Sequence, residues 1–209
     1  HWWPAETPFG VMVGAVLTQS AAWGNVEKAI VNLKSADFLS PDALRRINIL
    51  ELGRLIFPSG YYNAKAKKLK ALVEWLKIYG DDLTILKTRA TGDLRQKILS
   101  VHGIGPETAD SILLYALGQP VFVIDAYTRR LFSRLGIVPA KDSYDGWQEL
   151  FTASRPRDTA MYNEYHALIV KHAKEKCRKK PQCTDCRLRP VCPAGLLFTA
   201  IGTAAERLR

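Results

Sequence analysis

The stretch LSVHGIGPETADSILLYALGQPVFVIDAY, Leu99 to Tyr127, carries in order a glycine turn, a helix start and a carboxylate inside an apolar run. Gly103 and Gly105 permit tight backbone geometry without a Cβ penalty. Pro106 suits the first turn of the helix that follows, whose free N–H groups aim outward. With a helix ending near Leu99 on the other side, the segment reads as a helix-hairpin-helix. Such a turn, with Ile104 at its centre, holds a DNA phosphate through main-chain amides and the helix dipole. A plain helix–helix turn is the competing reading, and His102 beside it either touches phosphate or is simply exposed. Eighteen residues beyond Glu107, Asp125 sits in VFVIDAYTRRL. It reads both as the N-cap of the next helix and as a partly desolvated functional carboxylate, and the two roles can coexist.

Outward from this stretch, apolar residues recur at i, i+3, i+4 and i+7 while alternating strand patterns are scarce, so the fold class is all-α. The spacing predicts helices over 8–18, 26–35, 41–47, 49–57, 63–79, 91–99, 106–117, 125–135, 144–152 and 161–177. In SPDAL, Ser40 is the expected N-cap and Pro41 the first helical residue. With 47% hydrophobic and 24% charged residues in 209, the chain can bury a real core. Its formal charge of +10 favours a polyanionic partner. The run FGVMVGAVLT has ten residues, half of the roughly 20 that span a bilayer, so a buried helix is expected and no membrane partner. Its upstream flank carries Glu6 and two prolines but no Lys or Arg, which argues against a secretion signal.

All four cysteines fall within sixteen residues, as Cys177-x5-Cys183-x2-Cys186-x5-Cys192. Disulfides between such near neighbours would close only small loops. Zinc knuckles usually pair two C-x2-C units, and only one is present here. Four thiolates in a compact loop suit the four corner irons of a [4Fe–4S] cluster better, with zinc as the alternative. Lys171, Lys174, Lys176, Arg178, Lys179, Lys180, Arg187 and Arg189 surround them. Those charges can offset thiolates and face phosphates, or form an ordinary solvated face.

The hairpin, the carboxylate and the cysteine loop come in the order and spacing of the endonuclease III superfamily of DNA glycosylases, which the chain resembles from PFGVMVGAVLTQ through Cys192. The resemblance implies a six-helix barrel domain over residues 1–120 and a cluster domain over 121–209. It implies that Asp125 is the catalytic carboxylate and that the cysteine loop binds [4Fe–4S]. Bifunctional members place a lysine two residues after the second hairpin glycine, where it attacks the sugar C1′ and forms a Schiff base. Glu107 stands there and cannot form the imine, so a monofunctional glycosylase is expected, with Asp125 stabilising an oxocarbenium-like sugar and orienting or deprotonating water.

Carboxylate and water alone suit a base that leaves readily, such as an alkylated purine carrying positive charge, which aromatic walls would recognise. Trp2, Trp3 and Pro4, with Trp23 further on, resemble the base pocket of the 3-methyladenine glycosylase branch, and Tyr127 in IDAY joins them by the same likeness. Core packing is the competing fate of these tryptophans. Gln19 and Ser20 in LTQSAAW fall where the family inserts a polar wedge into the gap left by the flipped base. His166 and Lys171 are read as structural or electrostatic. The expected partner is double-stranded DNA with a damaged base, bound by a monomer in the cytoplasm at the nucleoid. The alternatives are a glycosylase for oxidised pyrimidines or mismatched bases, and a non-catalytic iron–sulfur DNA-binding module.

Overall fold

A computed structural model describes residues 5–153 and 156–198, and every regular element among them is helical. The chain divides into two compact units between Val121 and Phe122.

The first unit is built on helix α1, Pro8–Leu17. Thr7 caps it by accepting the Gly10 N–H at 3.0 Å, and Pro8 fits the first turn, where its missing N–H costs nothing. Phe9 through Leu17 are all buried, so this helix, apolar on every side, is the axis of the core. It packs against α2 (Trp23–Ser35), α5 (Tyr62–Lys77) and α8 (Pro106–Ser111). The short helices α3 (Pro41–Arg46), α4 (Ile49–Leu55) and α6 (Leu83–Lys87), with α7 (Thr91–Leu99), complete the unit. Ser40 caps α3 as expected, accepting from Ala43 N–H at 3.3 Å.

Three departures from the sequence reading have local causes. Helix α6 has five residues, too few to show an amphipathic period. The helix expected over 106–117 keeps its α pitch only to Ser111 and continues as a π-helical turn, Ile112–Ala116. ILLYA is apolar throughout and carries no stripe from which a change of pitch could be read. Asp125 lies outside its helix, as the cap rather than the first residue.

In the second unit, residues 122–124 lead into α9 (Ala126–Arg134), followed by α10 (Tyr144–Thr152) and α11 (Thr159–Glu175). The Phe122 ring centres their packing. It stacks on Phe151 at 4.2 Å and meets Tyr162 edge-on at 5.5 Å, a favourable aromatic geometry. The cysteine loop follows α11, with a single 3₁₀ turn, Arg189–Val191, and helical residues 193–198. No helix among the described residues is long and apolar enough to cross a membrane.

Candidate active site and cysteine loop

The hairpin turn joins α7 to α8. Gly103 has φ +78, and a Cβ there would fall 2.4 Å from Lys68 Cγ, so conformation and space both demand glycine. Gly105 differs from the sequence expectation. As the α8 N-cap it has φ −93 and ψ 177, ordinary extended backbone, and a Cβ would meet nothing within 4 Å. Its freedom is therefore not spent on the turn. Ile104 is buried and anchors the turn, while His102, Gly103 and Gly105 are exposed.

Gln19 reaches this turn from the end of α1. Its Nε2 donates to Gly103 O at 3.2 Å and Thr108 Oγ1 at 2.9 Å, and its Oε1 accepts from Lys68 Nζ at 2.5 Å. Ser20 beside it is exposed at φ +52. Glu107 is exposed in the first turn of α8, where a negative charge complements the helix dipole. Trp23 opens α2 and packs, half-buried, on the apolar core. Trp2, Trp3 and Pro4 lie outside the described residues.

Asp125 caps α9, its Oδ1 accepting the Thr128 N–H at 2.7 Å. The carboxylate is 13% exposed, and its Oδ2 lies 3.5 Å from Nε2 of buried His166 on α11. Burial is the largest single influence on this carboxyl and pushes its pKa up. The hydrogen-bonding and charge effects of His166 together with Thr128 outweigh it, leaving the carboxyl below its ordinary value. At 3.5 Å the His166 contact is an ion-pair distance, longer than a formed hydrogen bond. Two residues on, the Tyr127 ring has Arg130 at 5.1 Å and Lys174 at 6.0 Å from its centroid.

All four cysteines are free and line one small cavity with His172. Arg134 Nη1 donates to Cys177 Sγ at 3.2 Å and to Arg178 O at 2.6 Å, and Gly195 N–H donates to Cys192 Sγ at 3.3 Å. His172 Nε2 is 3.6 Å from Cys186 Sγ. Burial first, and then the charges of Cys186, Cys192 and Cys177, push the Cys183 thiol up, with Arg134 opposing. Among the described residues no three His, Cys, Asp or Glu side chains are grouped as a metal ion requires. The donor set itself, four thiols on one cavity with guanidinium and amide donors aimed at sulfur, fits a thiolate-ligated cluster.

Sequence reasoning missed the partnership of His166 with Asp125, the reach of Lys68 to Gln19 and the grip of Arg134 on the cysteine loop. Only the first left a legible trace. His166 shares the buried stripe Tyr162, His166, Ile169, Val170 and Ala173 of α11, so a polar residue was visible on an apolar face.

Comparison with known proteins matches residues 13–156 to the family of HhH-GPD superfamily base excision DNA repair proteins. A Methanocaldococcus jannaschii protein provisionally described as a DNA repair glycosylase is 48% identical over 194 residues, 92% of this chain and 88% of that one. The crystal structure of H. pylori 3-methyladenine DNA glycosylase bound to 1,N6-ethenoadenine is 30% identical with a TM-score of 0.72, covering 83% of this chain and 88% of that one. A non-covalent endonuclease III–DNA complex shares the fold at a TM-score of 0.82 and 21% identity, over 96% of this chain and 89% of that one. The helix-hairpin-helix and these likenesses together establish that the chain belongs to the HhH-GPD superfamily of base excision DNA repair proteins, as one of its DNA glycosylases.

Proposed function

We propose that this glycosylase is monofunctional and removes an alkylated purine such as 3-methyladenine from double-stranded DNA. The observation that carries the reading is Asp125, mostly buried yet held ionised at the head of α9. The amide groups of the exposed 102–105 turn bind phosphate, with Ile104 fixing the turn from within. Gln19 or Ser20, both at this turn's side of α1, fills the gap left by the flipped nucleotide. By their likeness to the 3-methyladenine branch, Trp2, Trp3, Pro4, Trp23 and Tyr127, with Glu107, are assigned to contact the base. Aromatic rings and a carboxylate favour a cationic purine over neutral bases.

The Asp125 carboxylate stabilises the positive charge that grows on the sugar as the C1′–N bond lengthens. It also orients the attacking water and takes its proton as the C1′–O bond forms. The electrons of the broken bond leave with the base, and the positive charge of an alkylated purine is neutralised in that step. Glu107 offers no amine, so no covalent enzyme–sugar adduct forms and the abasic site stays intact. Cys177, Cys183, Cys186 and Cys192 would hold a [4Fe–4S] cluster, which when bound cross-links the loop and leaves the surrounding cations to face DNA. The protein acts as a monomer at the nucleoid.

Duplexes carrying 3-methyladenine, thymine glycol or a mismatch, incubated with the protein and analysed for released base and for strand breaks, test this reading. Free 3-methyladenine with unbroken strands and no borohydride-trapped protein is expected. Preferred release of thymine glycol or a mismatched base would reassign the substrate, and trapping would overturn the mechanism.

A further inference from the structure

The second unit contains a buried imidazole–carboxylate contact that the reaction as described does not use. His166 is 3% exposed. It approaches the Asp125 carboxylate on Oδ2, the oxygen opposite the one that caps α9. One oxygen is thus committed to the helix and the other is met by an imidazole from a different helix. The two points fix the plane of the carboxylate as a single contact could not. An apolar residue at position 166 would pack beside Phe122, whose ring lies edge-on at 6.2 Å, with no desolvation cost. A polar side chain on the apolar stripe of α11 therefore calls for a reason beyond packing.

We infer that His166 is a positioning residue for the glycosylase reaction: through Nε2, 3.5 Å from Oδ2, it holds the orientation of the Asp125 carboxylate while the base departs. The inference rests on Asp125 being the catalytic carboxylate. The other ionisable neighbours in this unit are engaged elsewhere or face away. From α9, Arg129 pairs with Asp142 at 2.9 Å and Arg130 Nε donates to Cys177 O at 2.8 Å, while the Tyr127 ring carries the Arg130 and Lys174 contacts. From α11, Tyr162 and Tyr165 pack on Phe122, and Glu164 is exposed. From α10, the Tyr144 hydroxyl accepts the Ile124 N–H at 3.2 Å. Burial pushes the Asp125 pKa up, and of the contacts that outweigh it His166 is the largest, ahead of Thr128.

The experiment compares the wild type with His166→Leu, His166→Gln and Asp125→Asn, each in the full chain with its loop intact. Three quantities are measured: single-turnover excision of 3-methyladenine against pH, affinity for abasic-site duplex, and titration of the Asp125 side-chain carboxyl by carbon-detected NMR. His166→Leu is expected to lower excision on the order of 10²-fold, the cost of misplacing a reacting group by about an ångström. Duplex affinity should be unchanged. The acid limb of the rate profile and the Asp125 titration should both move to higher pH. His166→Gln, whose amide nitrogen stands in for Nε2, should recover most of the rate but less of the titration, because it donates without carrying charge.

Loss of rate with neither the acid limb nor the titration displaced would reduce His166 to a packing residue and overturn the inference. So would an unchanged rate in His166→Leu while Asp125→Asn is inactive, and that result leaves the role of Asp125 standing. Full activity in Asp125→Asn would overturn the catalytic assignment and this inference together. If His166→Leu does not fold, His166→Gln carries the test: its acid limb must still rise, and an unmoved limb and titration count against the inference.

Discussion

Arg95 holds Asp110 at two points, Nε to Oδ1 at 2.7 Å and Nη2 to Oδ2 at 3.1 Å, and so joins α7 to α8 on either side of the hairpin turn. Asp110 has no exposed surface. Removing the guanidinium would take a charged partner from a buried carboxylate, and breaking a buried pair typically costs about 3–5 kcal/mol. Arg95→Met is therefore expected to lower the urea midpoint markedly. DNA affinity, measured where the variant remains folded, should also fall as the turn loosens.

The two hairpin glycines should respond differently to alanine. Gly103→Ala faces both a left-handed φ and the Lys68 side chain, so it should destabilise the fold and free Gln19 from its contacts. Gly105→Ala has room and an ordinary backbone, so thermal stability should be near that of the wild type. If a phosphate closes on this turn, affinity for every duplex sequence should nonetheless drop in Gly105→Ala, because amide contacts read no base. Equal melting losses in both variants would contradict the described turn.

Asp125→Asn keeps the shape of the cap and removes its charge. Excision should fall by roughly 10²–10³-fold, as when one preorganised electrostatic group is deleted elsewhere, while duplex affinity persists. The carboxyl titrates below its ordinary 3.8 in the folded protein. Its contribution to stability is thus complete above that pH and is lost as the pH falls through the lower folded value. The same acid unfolding curve in wild type and Asp125→Asn would contradict that shift.

Lys65 is buried, and its Nζ donates to Leu17 O at 2.8 Å and Ser59 O at 2.7 Å. Burial, and then the charge of Lys68, bring its pKa down to about 8. Between that value and the ordinary 10.5 the unfolded chain binds the proton more tightly than the folded one. This residue therefore adds stability as pH rises through that window. Lys65→Met should flatten the rise in unfolding free energy between about pH 8 and 10.5. Parallel slopes for the two proteins would refute the assignment.

Protein purified without oxygen should be yellow-brown, with iron and inorganic sulfide in near-equal amounts and broad charge-transfer absorption at about 400 nm. Cys183→Ser should bleach it. One zinc per chain without iron would assign the loop to the other metal.

The legibility of this chain divided along physical lines. The α1 core, the Ser40 cap, the hairpin and the cap at Asp125 all follow from local rules of periodicity and turn chemistry, and all were readable. The π turn at Ile112–Ala116 was not, because an unbroken apolar run fits either pitch. Nor was the indifference of the Gly105 backbone, since a glycine letter does not say whether φ, space or an approaching ligand demands it. His166 stood out as a polar residue on an apolar stripe, but its partnership and that of Arg134 were hidden for a different reason. Each gains its meaning from a residue more than forty positions away, and sequence periodicity carries no information over that span.

Helix α9 carries Asp125 at one end and, at the other, Arg134, which is fastened to Cys177 sulfur and the carbonyls of Arg178 and Lys179. At 1.5 Å per residue its nine residues make a rod of about 14 Å. The carboxylate and the cysteine loop therefore share one mechanical mounting. A loop that frays under oxidation would release the far end of the rod and with it the aim of the carboxylate. If Asp125 is the reacting carboxylate, oxidation of the loop is expected to lower excision while DNA binding persists, a loss read by comparing the two in oxidised and intact protein.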